Sequence, residues 1–319
     1  MKLFSRIRAL IMLPLWLICL LVGPRAQSTP GVELVSQDLV VLGEAFTAGQ
    51  GITTDGEYYY TSGAITAINT TALAKRTLDG MTTVKVRLNP LPDKCRERGN
   101  NHIGGISAYN GKIYASVEGG GECEACIVVF DCNTLEPTGE IYDLPNELYG
   151  DGIPWLAVDG NTGLLYASGW SHKKEIRVYD VNDGMRFVKE ITVTGMEDIH
   201  RIQGGEFYNG TLYLSSDTGE ERDGKWTKNI LSVNVETGET KIAFERNVGR
   251  DKVEAEGLTF LATEDGANMH VLDYDKLIGL YVHHYKVDVC NYQINIFKTQ
   301  LSLFRFINRK IKPWCNSSK

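Results

Sequence analysis

The chain has no Gly-x-Ser-x-Gly elbow, no Gly-rich phosphate loop and no His-Glu-x-x-His pair. Those absences exclude a serine nucleophile on an α/β-hydrolase turn, a nucleotide cradle and a helical zinc-protease centre. Carboxylates gather between Asp217 and Gly224, but not at the spacing of a twelve-residue calcium loop. Positive charge is scarce in the body of the chain. Of 33 basic residues, four lie in the first 26 positions and six beyond position 287, which leaves 23 against 39 of the 40 acidic ones, a net of −16. A body that acidic disfavours nucleic acid and anionic membrane as partners and is compatible with cations. Only one long apolar run exists, Ala9 to Val22. It follows Lys2, Arg6 and Arg8, is short for a membrane span, and reads as the core of a secretory signal peptide over residues 1–26. After cleavage no membrane span is expected, and the mature protein is expected to be extracellular.

Cleavage removes Cys19 and leaves six cysteines, an even number that in an oxidising compartment points to disulfides. Cys95, Cys123, Cys126 and Cys132 lie close together, and Cys290 and Cys315 lie apart. Cys123-Glu-Ala-Cys126 has zinc-ligand spacing, but a second Cys-x-x-Cys is missing. Asn69-Thr-Thr, Asn209-Gly-Thr and Asn316-Ser-Ser are glycosylation sequons, so a glycoprotein is expected.

A repeated hairpin is what the chain does contain. His102-Ile-Gly-Gly-Ile-Ser-Ala-Tyr-Asn-Gly-Lys-Ile-Tyr-Ala-Ser recurs as His200-Arg-Ile-Gln-Gly-Gly-Glu-Phe-Tyr-Asn-Gly-Thr-Leu-Tyr-Leu-Ser, with weaker copies at Gly51, Trp155 and Gly257. Each copy is a β-run, a turn and a second run with period-two alternation. Aligned on Gly51, Gly105, Trp155, Gly204 and Gly257, the copies stand 54, 50, 49 and 53 residues apart. A β-rich period of that size predicts an all-β propeller of four-stranded blades, five by this count and six as the alternative. The propeller should span residues 27–287. Its fifth repeat is one strand short, and the isolated strand from Glu33 to Leu42 is placed to fill the gap and close the ring. Residues 288–319 are basic, aromatic and free of the repeat, and form either a short amphipathic element or an appendage.

The first strand of each blade lines a propeller's channel, so the residues just before each repeat should converge on one mouth. They are Gln50, His102 with Gly104, Asp151 with Pro154, His200 with Gln203, and Glu254 with Glu256. Gln50, Asp151, Trp155 and Gln203 are candidate ligand contacts, although blade packing is the stronger reading of Trp155. Glu254 and Glu256 alternate on a strand and suit a hard cation such as calcium; ion pairing with Arg201 or Lys252 competes with that reading. His102 and His200 are candidate general bases, against the commoner role of a histidine as a hydrogen-bonded loop residue. Glu206, after Gly-Gly, should point outward or sideways.

Glu256-Gly-Leu-Thr-Phe resembles the strand entered by Glu-Gly-x-x-Trp/Phe in the gluconolactonase/paraoxonase/strictosidine-synthase group of propellers. The resemblance implies a propeller whose Glu256 ligates a catalytic calcium. The group's asparagine ligands have no match here; Gln50 and Gln203 stand near the corresponding places. Two functions stay open: a secreted propeller that binds a small molecule, glycan or extracellular protein at its polar mouth, and a calcium-dependent hydrolase of a lactone or ester.

Overall fold

The computed structural model describes residues 31–40, 47–65, 68–119, 124–222, 225–249, 253–275 and 279–288. The N-terminal segment read as a signal peptide and the repeat-free C-terminal segment beyond residue 288 lie outside them, as do Cys123, Cys290 and Cys315. No helix among the described residues is long and apolar enough to cross a membrane.

Five antiparallel sheets form the five blades. Blade 1 holds β2 (Ile52–Thr54), β3 (Tyr59–Ile65), β4 (Thr70–Arg76) and β5 (Thr83–Leu88). A short helix, α1 (Asp93–Glu97), leads to blade 2, made of β6 (Asn100–Tyr109), β7 (Lys112–Gly119), β8 (Cys126–Asp131) and β9 (Pro137–Asp143). A second, α2 (Asn146–Tyr149), precedes β10 (Trp155–Val158), β11 (Leu164–Ser168), β12 (Glu175–Asp180) and β13 (Arg186–Thr192) of blade 3. Blade 4 has β14 (Ile202–Tyr208), β15 (Thr211–Ser216), β17 (Lys225–Val233) and β18 (Thr240–Asn247), with a two-residue strand β16 (Glu221–Arg222) on its β17 edge. Blade 5 has β19 (Val253–Phe260), β20 (Met269–Asp275) and β21 (Gly279–Val287). Its fourth strand is β1 (Val32–Val40), antiparallel to β21 from Val32 opposite Val287 to Val40 opposite Leu280. The isolated first strand thus closes the ring, as the sequence predicts. The acidic stretch after Asp217 includes β16, paired antiparallel with the start of β17.

The inner strands β2, β6, β10, β14 and β19 pack in cyclic order around the axis. They pack backbone to backbone, which is why glycine recurs there. A Cβ on Gly51 would lie 2.8 Å from Gly104 O and Ile106 N. One on Gly257 would lie 2.7 Å from Ile52 N, and one on Gly204 2.6 Å from Gly257 Cα. Hydrogen bonds cross at the same level. Gly257 N–H donates to Gln50 O and Gly105 N–H to Pro154 O, each at 2.8 Å. Ser62 Oγ donates to Gly104 O at 2.6 Å and accepts from Gly51 N–H at 2.8 Å. Blade 3 carries Trp155 where the others carry glycine. Its fully buried ring lies over blade 4, where a Cβ on Gly205 would come within 2.8 Å of Cε3. The Gly204-Gly205 pair therefore serves two neighbours, one on each side.

Asn110-Gly111 and Asn209-Gly210 both have positive φ at both positions (49° and 74°, 50° and 76°), the geometry of the tight turns the motif predicts. Asn209 is exposed there. At the ends of the third strands, Asp131 Oδ1 accepts from the N–H groups of Asn133 and Thr134, and Asn234 Oδ1 from those of Glu236 and Thr237. Apolar clusters fill the spaces between successive blades, such as Trp155, Ile176, Ile202 and Leu214 between blades 3 and 4. Cys95, Cys126 and Cys132 are buried thiols, with Cys95 and Cys126 Sγ 3.9 Å apart.

A buried polar chain backs the closing strand. His270 Nε2–H donates to Leu261 O at 2.8 Å, so its Nδ1 accepts from His284 Nδ1–H at 2.6 Å. His284 Nε2 faces Asp38 of β1 at 3.2 Å. Burial pushes the His270 imidazole down to about 4 and His284 down as well.

Two expectations follow. Gly51→Ala should destabilise the protein by about 3 kcal/mol in chemical denaturation, because backbone on the neighbouring blade cannot yield to the new methyl. Gly160→Ala, where an added Cβ meets nothing within 4 Å, should stay within about 0.5 kcal/mol of wild type. The second expectation concerns acid. Between its ordinary value of 6.5 and its folded value of about 4, His270 is protonated in the unfolded chain before the folded one. Its contribution to stability is complete above that window and is lost as pH falls through it. Melting midpoints measured from pH 7 down to 4 should fall less steeply for His270→Gln than for wild type.

Candidate functional site

The mouth at which the inner strands begin is called the upper mouth. Gln50 sits there before β2, fixed by its N–H to Ser62 O at 3.0 Å, and its Oε1 lies 2.9 Å from His102 Nε2. His102 is near the start of β6. Its Nδ1 lies 3.0 Å from Glu118 Oε1 on the paired strand β7, and Glu118 Oε2 accepts from Ile153 N–H at 2.7 Å. One unbroken chain thus runs from blade 1 through blade 2 to the loop that enters blade 3. His102 and Glu118 side chains keep 20% and 22% of their surface in water, so the group is held but reachable. Its pattern is a histidine oriented by a carboxylate that is itself oriented by backbone.

A second group lies on the rim before blades 3 and 4. Asp151 Oδ2 accepts from Ser171 N–H at 2.8 Å and stands 3.0 Å from Lys173 Nζ. Burial works against its charge, but the Ser171 amide and Lys173 hold its carboxyl below the usual range. His200 Nδ1 lies 2.8 Å from Asp198 Oδ1, and His172 Nδ1 2.9 Å from Asp198 Oδ2. Hydrogen bonds from His200 and His172 pull the Asp198 carboxyl down. Next in the chain, Arg201 takes a positive φ of 52°, pairs with Asp217, and sets its guanidinium 5.4 Å from the Trp170 ring.

Asp217, at the end of β15, ties this rim to blade 5. It is buried, accepts from Lys228 Nζ at 2.5 Å, and accepts from Ala255 N–H at 3.0 Å. Glu254 and Glu256 flank that amide. A β-bulge shifts the register of β19 on β20 there, from Ala255 opposite Asp273 to Leu258 opposite Val271. Glu256 is 2% exposed and Glu254 half-buried.

Several expected residues therefore meet, though in two groups rather than one. Gln50 and His102 touch; Asp151 and His200 belong to the second group, each with its own charged partner. Gln203 is half-buried at the start of β14. Trp155 points into the blade 3–4 packing, fully buried, with Nε1–H donating to Ser168 Oγ at 2.9 Å. Glu118, His172, Lys173 and Asp198 complete the groups. Only Glu118 had a trace in the repeat, at the end of a second strand; the other three lie in loops outside it.

Glu206 departs from its expectation. It points into the channel, where Oε2 accepts from Thr259 Oγ1 of blade 5 at 3.3 Å and from Thr53 Oγ1 of blade 1 at 3.5 Å. Its Oε1 accepts from Phe207 N–H at 3.0 Å. One side chain from blade 4 thus crosses the axis below the upper mouth. Desolvation raises its carboxyl to about 7, against the three hydrogen bonds that lower it. The cavity of about 780 Å³ lies elsewhere, between blades 3 and 4 at the opposite face, walled by Tyr166, Phe207, Tyr213 and Phe244. A smaller one of about 360 Å³ adjoins the rim at Ser168, Gly169 and Lys173.

No family model matches the chain, and no curated protein matches it. Solved structures do. The glutaminyl cyclase of Myxococcus xanthus superposes with a TM-score of 0.54 at 13% identity, over 81% of this chain and 97% of that one. The RS223 β-xylosidase superposes with a TM-score of 0.50 at 11% identity, over 78% and 94%. At those identities the likeness is one of fold.

The Glu206 environment sets one expectation. Its folded value lies above its unfolded one, so the group favours the folded state below about 4.5 to 7 and disfavours it as pH rises through that window. Glu206→Gln should gain about 1–3 kcal/mol over wild type at pH 8, with the gain vanishing near pH 4.5 in paired denaturation curves.

Proposed function

We propose that this chain is an extracellular propeller that binds a polar, hydroxyl-rich small molecule or glycan at the upper mouth. The observation that carries the reading is the Gln50–His102–Glu118–Ile153 chain. His102 is held by residues of two blades and still keeps a fifth of its side chain in water. A ligand hydroxyl or carbonyl that displaces the Gln50 carboxamide gains Nε2, while Glu118 keeps the ring in place through Nδ1. Asp151 and Lys173 supply an acceptor and a donor on the neighbouring rim, and Trp170 an apolar face. Extracellular placement rests on the N-terminal sequence alone.

The hydrolase reading is favoured by one feature, the orientation of His102 Nδ1 by Glu118, which leaves Nε2 to act as a general base once substrate or water displaces Gln50. In that reading Glu256, on the bulge of β19, would hold the calcium that the resemblance to the lactonase group implies, with Glu254 beside it. Among the described residues the other oxygen expected nearby, Gln50 Oε1, is turned to His102. Calcium's six to eight oxygens would therefore have to come mainly from backbone, water and substrate. When bound, the ion would polarise a carbonyl.

A panel of mono- and oligosaccharides, lactones and aryl esters, screened by calorimetry and by turnover with and without calcium, separates the two. Binding without turnover, weakened at least about tenfold by His102→Ala and by Asp151→Asn, is the expected result. Calcium-dependent turnover abolished by Glu256→Gln would replace it with the hydrolase. No binding by wild type to any member would sink the proposal.

A further inference from the structure

His172, Asp198 and His200 stand on two segments joined by a short antiparallel bridge. Lys173 N–H donates to Ile199 O, and Ile199 N–H to Lys173 O, both at 2.8 Å. In antiparallel register the residues next to that pair, His172 and His200, oppose each other on the other face. Asp198, two residues before His200, shares that face. The side chains follow this geometry: the imidazole centroids are 4.3 Å apart, and one carboxylate oxygen faces each Nδ1. The donor atoms of all three lie within 4.8 Å of one another. Arg201 N–H to Trp170 O at 3.0 Å secures the same two segments further on.

We propose that His172 Nδ1, His200 Nδ1 and an Asp198 oxygen form a binding site for a borderline transition-metal dication, zinc above all, on the rim of the upper mouth. Two imidazoles and one carboxylate are a donor set that zinc, cobalt and nickel prefer and calcium does not. Three protein ligands leave a tetrahedral ion one open position for water or a ligand donor. That position faces solvent, since His172 is 69% exposed and His200 35%. A metal–nitrogen bond of about 2.1 Å requires the donors to draw together by less than a rotamer change, with each neutral ring carrying its proton on Nε2 in place of Nδ1. Asp198 then passes from hydrogen-bond acceptor for both rings to ligand. The two imidazoles and the carboxylate explain each other without metal as a pair of hydrogen bonds. What that simpler arrangement does not predict is stoichiometric, residue-specific zinc affinity.

The site is independent of the ligand-binding proposal, because its first test uses the metal alone. Full-length wild type, stripped with chelator, is titrated with zinc chloride by calorimetry. Its melting midpoint is followed in parallel, and cobalt substitution is read by visible absorption. One equivalent of zinc, a raised midpoint and a tetrahedral cobalt spectrum are expected. Affinity should fall at least about tenfold in His172→Ala, His200→Ala and Asp198→Asn. His172→Ala should melt like wild type in chelator, which separates loss of the metal from loss of the fold. Calcium at equal concentration should not displace zinc. Absence of zinc binding by wild type, or zinc binding that survives both histidine substitutions unchanged, would overturn the assignment.

Discussion

The close approach of five inner strands at the axis constrains everything else in this molecule. At the hub the neighbouring backbones pass so near that a single methyl group on Gly51, Gly204 or Gly257 has no room. Glycine there lets amide and carbonyl groups of adjacent blades bond directly, as Gly257 does to Gln50 and Gly105 to Pro154. Serine and threonine hydroxyls make the remaining links. Ser62 bonds Gly104, Ser107 Oγ accepts from Val158 N–H, and Thr53 Oγ1 accepts from Ala108 N–H. Blade spacing, and hence the size of the apolar wedges between blades, is fixed by these contacts.

A hub so tight leaves little room along the axis, and Glu206 takes what there is. Its carboxylate sits among threonine hydroxyls, and desolvation dominates its titration. Chemistry is therefore displaced outward, to the loops that feed the inner strands. Buried charges are paired, Arg246 of β18 with Asp273 of β20 in the interior and Asp217 with Lys228 at the rim. Those pairs hold the strand ends, and the half-exposed groups at the mouth are built on them.

Closing the ring imposes a second requirement. A propeller blade with an open edge invites pairing with other chains. Here the first described strand completes the last blade, and the ring shuts through eight aligned residue pairs and the His284–Asp38 contact. Because the two ends of the propeller share one sheet, loss of either strand exposes the core packed against Val32, Tyr285 and Val287.

The five-fold period, the hairpin turns and the need for a closing strand were determined by local chemistry that the chain writes out five times. Asn-Gly turns, period-two alternation and Gly at the start of four of the five repeats depend on neighbours in sequence. The placement of Gln50 near His102 was also legible, since they stand one and three residues before the aligned glycines of their repeats. Other features came only from tertiary structure. Glu206 turns inward because threonine hydroxyls of two other blades, Thr259 and Thr53, meet its carboxylate there. Trp155 is buried because a glycine pair on the next blade makes space for it. His172 and Asp198 carry no repeat signature; a bridge between two irregular loops, one leaving β11 and one entering β14, sets them facing His200. Pairing between segments about 26 residues apart is decided by the whole ring's geometry, and no local pattern encodes it.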